Sequence, residues 1–293
     1  MGTIEVTPIS PILGAEVRGV DLAAPVDDAS FELIRDAFHE HGVLFFKDSA
    51  EMEPDVHVDF ASRFGPLHTH PAAPTHESND AIFVIHTHRD STVSNGNGWH
   101  TDVSCDEEPP LGTMLQLNLL PPNGGDTLFA CMASAYDALS QTMKDFLAPL
   151  TALHESEHVY RGRYAERGVD DTGKVYPSAE HPIVRTHPET GRQALYVNRG
   201  FTTKIPSLSS HESTAVLAML LDHCAKAEFQ VRHRWDRHDV AFWDNRRLQH
   251  FAMWDYWPHE RKGHRVTVKG DRPFHRSDGV SAEPLKRISD GHF

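Results

Sequence analysis

Behind the run Asp27-Asp28-Ala29-Ser30, apolar residues recur at Phe31, Ile34 and Phe38 and stop at Gly42. The spacing follows roughly the 3.6-residue period of a helix, opened by an Asp/Ser cap and closed by glycine. Val43-Leu44-Phe45-Phe46 then reads as a buried strand, and Val56 to Phe64 as a second helix ending at Gly65. Ser134 to Leu147 predicts a third. Ser209 and Glu212 form a capping box ahead of Ala215, Leu217, Leu220 and Leu221, which predicts a helix to about Lys226.

Elsewhere the apolar positions fall in short runs broken by Pro, Gly and Asn. Met114 to Leu117, Leu195 to Val197, Phe229 to Trp235, Val240 to Trp243 and Arg265 to Lys269 read as strands. Many short strands with a few helices suggest a mainly β fold, a sandwich or jelly roll with flanking helices. No strict β-α alternation, G-x-G-x-x-G or phosphate-binding loop is present. No linker divides the chain, so residues 1–274 are expected to form one domain, with His275 to Phe293 a polar tail.

The formal charge of −14 makes nucleic acid an unfavourable partner. No apolar run approaches the roughly 20 residues of a membrane helix, and no secretory signal is visible, so no membrane partner is expected. Three scattered cysteines fit a reducing cytoplasm. The 22 histidines are the compositional feature that bears on chemistry.

His100-Thr101-Asp102 is the first candidate. On an extended segment residues i and i+2 share a face, so an imidazole and a carboxylate converge on one ion, of a kind that suits Fe(II), Mn(II) or Zn(II). The pattern alone is weak: His57-Val58-Asp59 repeats it on a predicted helix, where His57 reads as a solvated residue. His68-Thr69-His70 and His86-Thr87-His88 lack an obvious third ligand and read as loop or surface histidines, while His233 and His238 are expected to pair with surface carboxylates. The second candidate is Asp244-Asn245, a turn signal that delivers His250 on the next segment, followed by Arg261 and Arg265. Arginine forks bind carboxylate or sulfonate in bidentate fashion, so two of them in an acidic chain point to anionic ligands, against the alternative of ordinary ion pairs. The third is Asn123-Gly124-Gly125-Asp126-Thr127, a tight turn opening a strand with a hydroxyl.

The ordered set W-H-T-D, G-G-D-T-L, W-D-N-R-x-x-Q-H and H-R-x-T-x-x-G-D-x-P-F resembles the taurine dioxygenase family. The likeness runs from Ile12-Leu13-Gly14-Ala15-Glu16, through Arg63-Phe64-Gly65-Pro66-Leu67 and Glu228-Phe229-Gln230-Val231-Arg232, to Phe274. It implies a double-stranded β-helix, the cupin-like jelly roll, and an Fe(II)- and 2-oxoglutarate-dependent oxygenase that uses O2. It also implies iron ligation by His100, Asp102 and His250, with 2-oxoglutarate held by Arg261 and Thr127. The expected reaction hydroxylates a substrate C–H and yields succinate and CO2, in a homodimer or homotetramer.

For the substrate, a small organic anion, the resemblance implies His70, the Val103 amide and Arg265 at the anion, and Phe201 in the pocket wall. Several family positions differ. Ala73 stands for a tyrosine, Cys105 for a phenylalanine, Asn95-Gly96-Asn97-Gly98 lacks the asparagine placement of the taurine enzyme, and Glu155 to His158 offers no pocket phenylalanine. Lost rings open volume. The expectation is therefore a wider pocket, for an organosulfonate or alkyl sulfate larger than taurine. Trp254, Tyr256 and Trp257 are candidates for a replacement wall, although core or interface packing is the reading preferred for them. An aryloxyalkanoate-cleaving relative is the alternative within the class. A non-catalytic jelly-roll binding protein and a zinc hydrolase are the alternatives outside it.

Overall fold

A computed structural model describes residues 3–279 apart from 71, 73, 74, 78, 166 and 167. The helix Asp28–His41 begins and ends as its sequence dictates: Asp27 accepts the Ser30 amide, and Gly42 at φ 74° returns its N–H to Phe38. Its inner face carries Phe31, Ile34 and Phe38, and the Phe38 ring stacks on Phe242 at 4.1 Å. The next strand, Val43–Phe46, is buried at every position because both faces are covered. Leu44 and Phe46 join the cluster under the helix, whereas Val43 and Phe45 face the opposite core.

That strand lies inside an eight-stranded sheet. Its order is Glu5–Pro8, Ala15–Arg18, Val43–Phe46, Val240–Asp244, Gly112–Leu119, Arg261–Val268, Asn79–Thr87 and Thr75–His76. Only the pairing of Ala15–Arg18 with Val43–Phe46 is parallel. A smaller antiparallel sheet, Gln230–His233, Thr127–Cys131 and Leu248–Ala252, covers the inner face. Phe129 bridges the two, with its ring centroid 5.6 Å from both Phe45 and Trp243. This is the expected double-stranded β-helix, and the gap between its sheets holds the site. No helix among the described residues is long and apolar enough to cross a membrane.

Close approach is needed where Arg261–Val268 pairs with Gly112–Leu119. A Cβ on Gly263 would lie 2.1 Å from the Gln116 carbonyl oxygen, at the point where the register shifts. Glycine there lets Arg261 and Arg265 face inward on one strand.

Several expectations change. The segment Ser134 to Leu147 is two helices, Met132–Asp137 and Gln141–Leu147, because the Ser140 hydroxyl captures the Met143 amide and restarts the chain. The second helix is Pro54–Ser62, and Ser210–Cys224 ends two residues short of Lys226. His57 is not solvated; with Ala61 it lies on the face that meets the large sheet, 1% exposed. His233 does pair with Asp239, at 3.4 Å, but both are buried and its ring stacks on Phe45. At the C-terminal end, Thr186 Oγ1 accepts the Arg276 amide, so contact with the body continues past 274; residues 280–293 lie outside those described.

Burial, with a smaller contribution from His264, pushes His57 down to about 3. The unfolded chain takes up this proton below about 6.5, whereas the folded protein refuses it until about 3, so stability falls as pH drops through that window. His57→Leu should therefore flatten the slope of unfolding free energy between pH 6.5 and 3 by roughly one proton, about 1.4 kcal/mol per pH unit, in urea titrations. An unchanged slope would contradict this assignment.

Candidate metal centre and substrate pocket

His100 and His250, 150 residues apart in sequence, exchange both backbone hydrogen bonds, His100 N to His250 O at 3.1 Å and the reverse at 2.9 Å. They form an isolated antiparallel bridge, and their rings lie 4.1 Å apart. The expected extended W-H-T-D segment is therefore confined to this bridge, and the chain turns at Asp102. The turn, not strand alternation, brings the carboxylate beside the imidazoles. Asp102 Oδ1 lies 3.8 Å from His100 Nε2 and 3.9 Å from His250 Nε2. Among the described residues, this is the one His/Cys/Asp/Glu group of three or more whose donor atoms could hold a metal, all within 4.8 Å of one another.

The surroundings fix these atoms. His100 Nδ1 lies 2.8 Å from the Gly98 carbonyl and donates to it, which leaves Nε2 with a lone pair. His250 is fixed by packing, against Trp243 at 4.7 Å and Phe129 at 6.2 Å. Asp102 Oδ2 accepts the Thr113 hydroxyl at 2.7 Å, and Oδ1 accepts Arg265 Nη1 at 2.8 Å. Burial alone would raise the Asp102 carboxyl, yet Arg265, His250, His100 and Thr113 together hold it well below the usual carboxylate range. Burial keeps both imidazoles neutral, with His250 the more strongly lowered. Two neutral imidazoles and one carboxylate fit a borderline divalent ion such as Fe(II), Mn(II) or Zn(II), and suit Ca(II) or Mg(II) poorly.

The turn that delivers His250 is locked. Asp244 accepts Arg246 Nε and Nη2 and His187 Nε2, each at 2.8 Å, before the strand Leu248–Ala252. Asn245 Oδ1 then receives the Trp243 indole at 3.1 Å, and its amide donates to Thr113.

Behind His250 a small cavity is lined by Thr127, Arg261 and Arg265. Gly124 and Gly125 take φ 76° and 74°, a turn that glycine adopts without strain, and the Gly125 carbonyl accepts Arg261 Nε at 3.2 Å. Arg261 Nη2 reaches Thr127 Oγ1 at 3.4 Å, and Trp235 Nε1 donates to the same oxygen at 3.0 Å. With both lone pairs engaged, the Thr127 hydroxyl proton is left to point elsewhere. Arg261 is 3% exposed, and among the described residues no carboxylate lies within 4.0 Å of it. Burial lowers it to about 10. A buried guanidinium without a counter-charge is costly unless an anion joins it.

On the other side of His100 lies a larger cavity of about 390 Å³, within the range of roughly 300–1,000 Å³ typical of small-molecule sites. His70, Val103, Phe201 and Arg265 all line it, as expected. The Ala72 amide donates to His70 Nδ1 at 3.1 Å, so a neutral ring carries its proton on Nε2. Val103 is buried at φ 45°, a strained conformation for a β-branched residue that is maintained by the surrounding turn. Besides the hydrogen bond to Asp102, Arg265 has a buried Nε with no partner among the described residues.

Sequence reasoning missed Tyr160 and Tyr164, which supply the aromatic wall. Tyr160 lies 5.1 Å from the His70 ring and 5.8 Å from Phe201. The wall does not come from Trp254, Tyr256 or Trp257: Tyr256 is buried beside Gly125, and Trp257 is 65% exposed. Cys105 is fully buried in the core, and Ala73 lies outside the described residues. Asn95 lines both cavities despite its shifted place in sequence. Trp235 and Thr113 were also missed: the register of paired strands brings Thr113 to the site, and the loop after Gln230–His233 brings Trp235.

Mn(II) added without oxygen chemistry should raise the melting temperature of the native chain by several degrees, since a ligand at a hundred times its Kd contributes about 2.7 kcal/mol. His250→Ala should abolish the shift. A shift that survives His250→Ala would place the ion elsewhere.

The profile described as "Taurine catabolism dioxygenase TauD, TfdA family" matches residues 5–267. An alpha-ketoglutarate-dependent sulfate ester dioxygenase of Pseudomonas putida is 33% identical over 92% of this chain and 91% of its own length. An alpha-ketoglutarate-dependent sulfonate dioxygenase of Saccharomyces cerevisiae is 33% identical over 100% of this chain and 71% of its own. The crystal structure of a taurine dioxygenase from Burkholderia xenovorans superposes with a TM-score of 0.80, at 32% identity, covering 98% of this chain and 99% of that one. With the His-Asp-His cluster and the two-sheet fold on which it sits, these matches establish that the chain belongs to the taurine catabolism dioxygenase TauD, TfdA family.

Proposed function

We propose that this chain is an Fe(II)- and 2-oxoglutarate-dependent dioxygenase that hydroxylates a small organic anion, an organosulfonate or alkyl sulfate larger than taurine. The observation that carries the reading is the pair of buried arginines at the triad. Arg261 opens on the small cavity and Arg265 on both, and the two cavities share Asn95, Gly96 and His100. Two anion sites thus flank one candidate metal site.

In this reading His100 Nε2, Asp102 Oδ1 and His250 Nε2 hold iron. Bound there, iron supplies the coupling of 2-oxoglutarate decarboxylation by O2 to hydroxylation of a substrate C–H. Arg261 takes the distal carboxylate of 2-oxoglutarate, and the Thr127 hydroxyl donates to it, with Trp235 holding Thr127 in place. His70 Nε2–H, the Val103 amide and the unpartnered Nε of Arg265 hold the substrate anion. Tyr160, Tyr164 and Phe201 exclude water around its carbon chain. For a sulfonate R–CH2–SO3⁻, one oxygen atom of O2 enters the C–H bond and the other enters succinate. The hydroxysulfonate then loses sulfite and leaves an aldehyde; a sulfate ester releases sulfate.

Residues 1–274, with the segment docked through Arg276, serve as one catalytic domain, and by family likeness the enzyme works as a cytoplasmic homodimer or homotetramer. The three free, buried cysteines suit that compartment.

Trp235→Phe keeps the ring over Arg261 and removes the N–H. It should weaken 2-oxoglutarate about five-fold, the worth of one neutral hydrogen bond, in anaerobic calorimetry with Mn(II). Arg261→Gln should weaken it by at least about ten-fold, with substrate affinity less affected. Equal effects on substrate and 2-oxoglutarate would contradict the division of labour. With hexyl sulfate, hexanesulfonate, taurine and phenoxyacetate offered in air, the two six-carbon anions should give the highest kcat/KM, measured by succinate and by sulfate or sulfite. Preferred release of phenol would establish the aryloxyalkanoate alternative instead.

A further inference from the structure

Arg163 lines the main cavity just beyond the short helix Glu157–Tyr160. Its Nε donates to Asn95 Oδ1 at 3.1 Å and its Nη2 to the Ser94 carbonyl at 2.8 Å. Both acceptors are neutral, and among the described residues no carboxylate lies within 4.0 Å of its guanidinium. The Tyr164 hydroxyl shares the same Asn95 oxygen at 3.4 Å. Arg199, the other arginine at this wall, differs in that Asp222 lies 2.5 Å from its Nη2. Arg163 therefore offers a positioned but uncompensated positive charge to the cavity, in a chain whose net charge is −14.

A plain alkyl tail lying against this group would strip its water and return nothing. A carboxylate would meet a guanidinium whose plane is already set by Asn95 and Ser94, the geometry that makes arginine–carboxylate pairs strong. Arg163 and Arg265 line the same cavity as Tyr160 and Phe201, whose rings can cover a short methylene chain. We infer that Arg163, seated on Asn95 beside Tyr164, is a second anchoring point, and that the substrate is a dianion. Its sulfonate or sulfate lies at Arg265 and a carboxylate at its far end meets Arg163. This rests on the sulfonate and sulfate reading above and narrows it.

The test compares two sulfonates of equal carbon number, hexane-1-sulfonate and 5-carboxypentane-1-sulfonate, with the iron-loaded full chain and saturating 2-oxoglutarate. KM is followed by sulfite release, and Kd by calorimetry without oxygen. The native enzyme should favour the carboxylated substrate by about ten-fold or more in both KM and Kd. Arg163→Gln should bring the ratio of the two substrates close to one, whatever happens to their common level. Arg163→Lys, which keeps the charge and loses the fork, should retain part of the ratio, above Arg163→Gln, and shows that the loss is not one of folding. Sulfite from both substrates with equal KM would overturn the second anchor and leave the sulfonate reading standing. A ratio that survives Arg163→Gln would overturn it as well. No sulfite from either substrate, and no binding of either by calorimetry, would overturn the second anchor together with the sulfonate half of the reading above.

Discussion

The site depends on one reciprocal backbone pairing, the bridge between His100 and His250. Two hydrogen bonds at 3.1 and 2.9 Å join a glycine-rich loop to a strand of the smaller sheet. Closing so long a loop costs entropy, which grows only slowly with its length, so the bridge must be supported by what surrounds it. The support is specific. Thr101 donates to the Leu248 carbonyl at 2.8 Å, Thr113 and Asn245 brace Asp102, and the Gly96 carbonyl receives the Ala252 amide. These contacts tie the ligand loop to both ends of Leu248–Ala252, to Gly112–Leu119 and to the turn at Asn245, so donor geometry is inherited from the sheets.

Electrostatics follow from the same enclosure. Burial lowers His100 and His250, while the Arg265 guanidinium and the Thr113 hydroxyl keep Asp102 ionised, so the three donors stand ready at neutral pH in their metal-binding protonation states. Arg265 stabilises that carboxylate and also opens on the pocket. A substrate anion at Arg265, as proposed, would thereby be linked to the charge of the centre. The acidic surface charge describes the outside of the molecule only; inside, Arg261, Arg265 and Arg163 make the cavities attractive to anions.

Local signals in the chain were legible because the interactions behind them are local. The Asp27 cap, the Gly42 stop and the Ser209–Glu212 box each involve residues within a few positions of one another. Where a competing local contact existed, the reading failed: Ser140 looked like the interior of a helix until its hydroxyl was seen to cap the next one. The site was legible through ordered motifs, and the fold does bring His100, Asp102 and His250 together. Trp235, Thr113 and Arg163 were not, because each acts across strand pairings or loop contacts that no local spacing encodes. His57 was misread for the same reason, since the face of its helix that meets the sheet is decided by tertiary packing.

The most direct test of the central claim is the visible spectrum of the protein after anaerobic addition of Fe(II) and then 2-oxoglutarate. Chelation of the keto acid to iron held by two histidines and a carboxylate predicts a weak charge-transfer band that appears only when both are present and bleaches when air is admitted with succinate formed. A folded protein that shows no such band, and consumes no 2-oxoglutarate in air, would contradict the account.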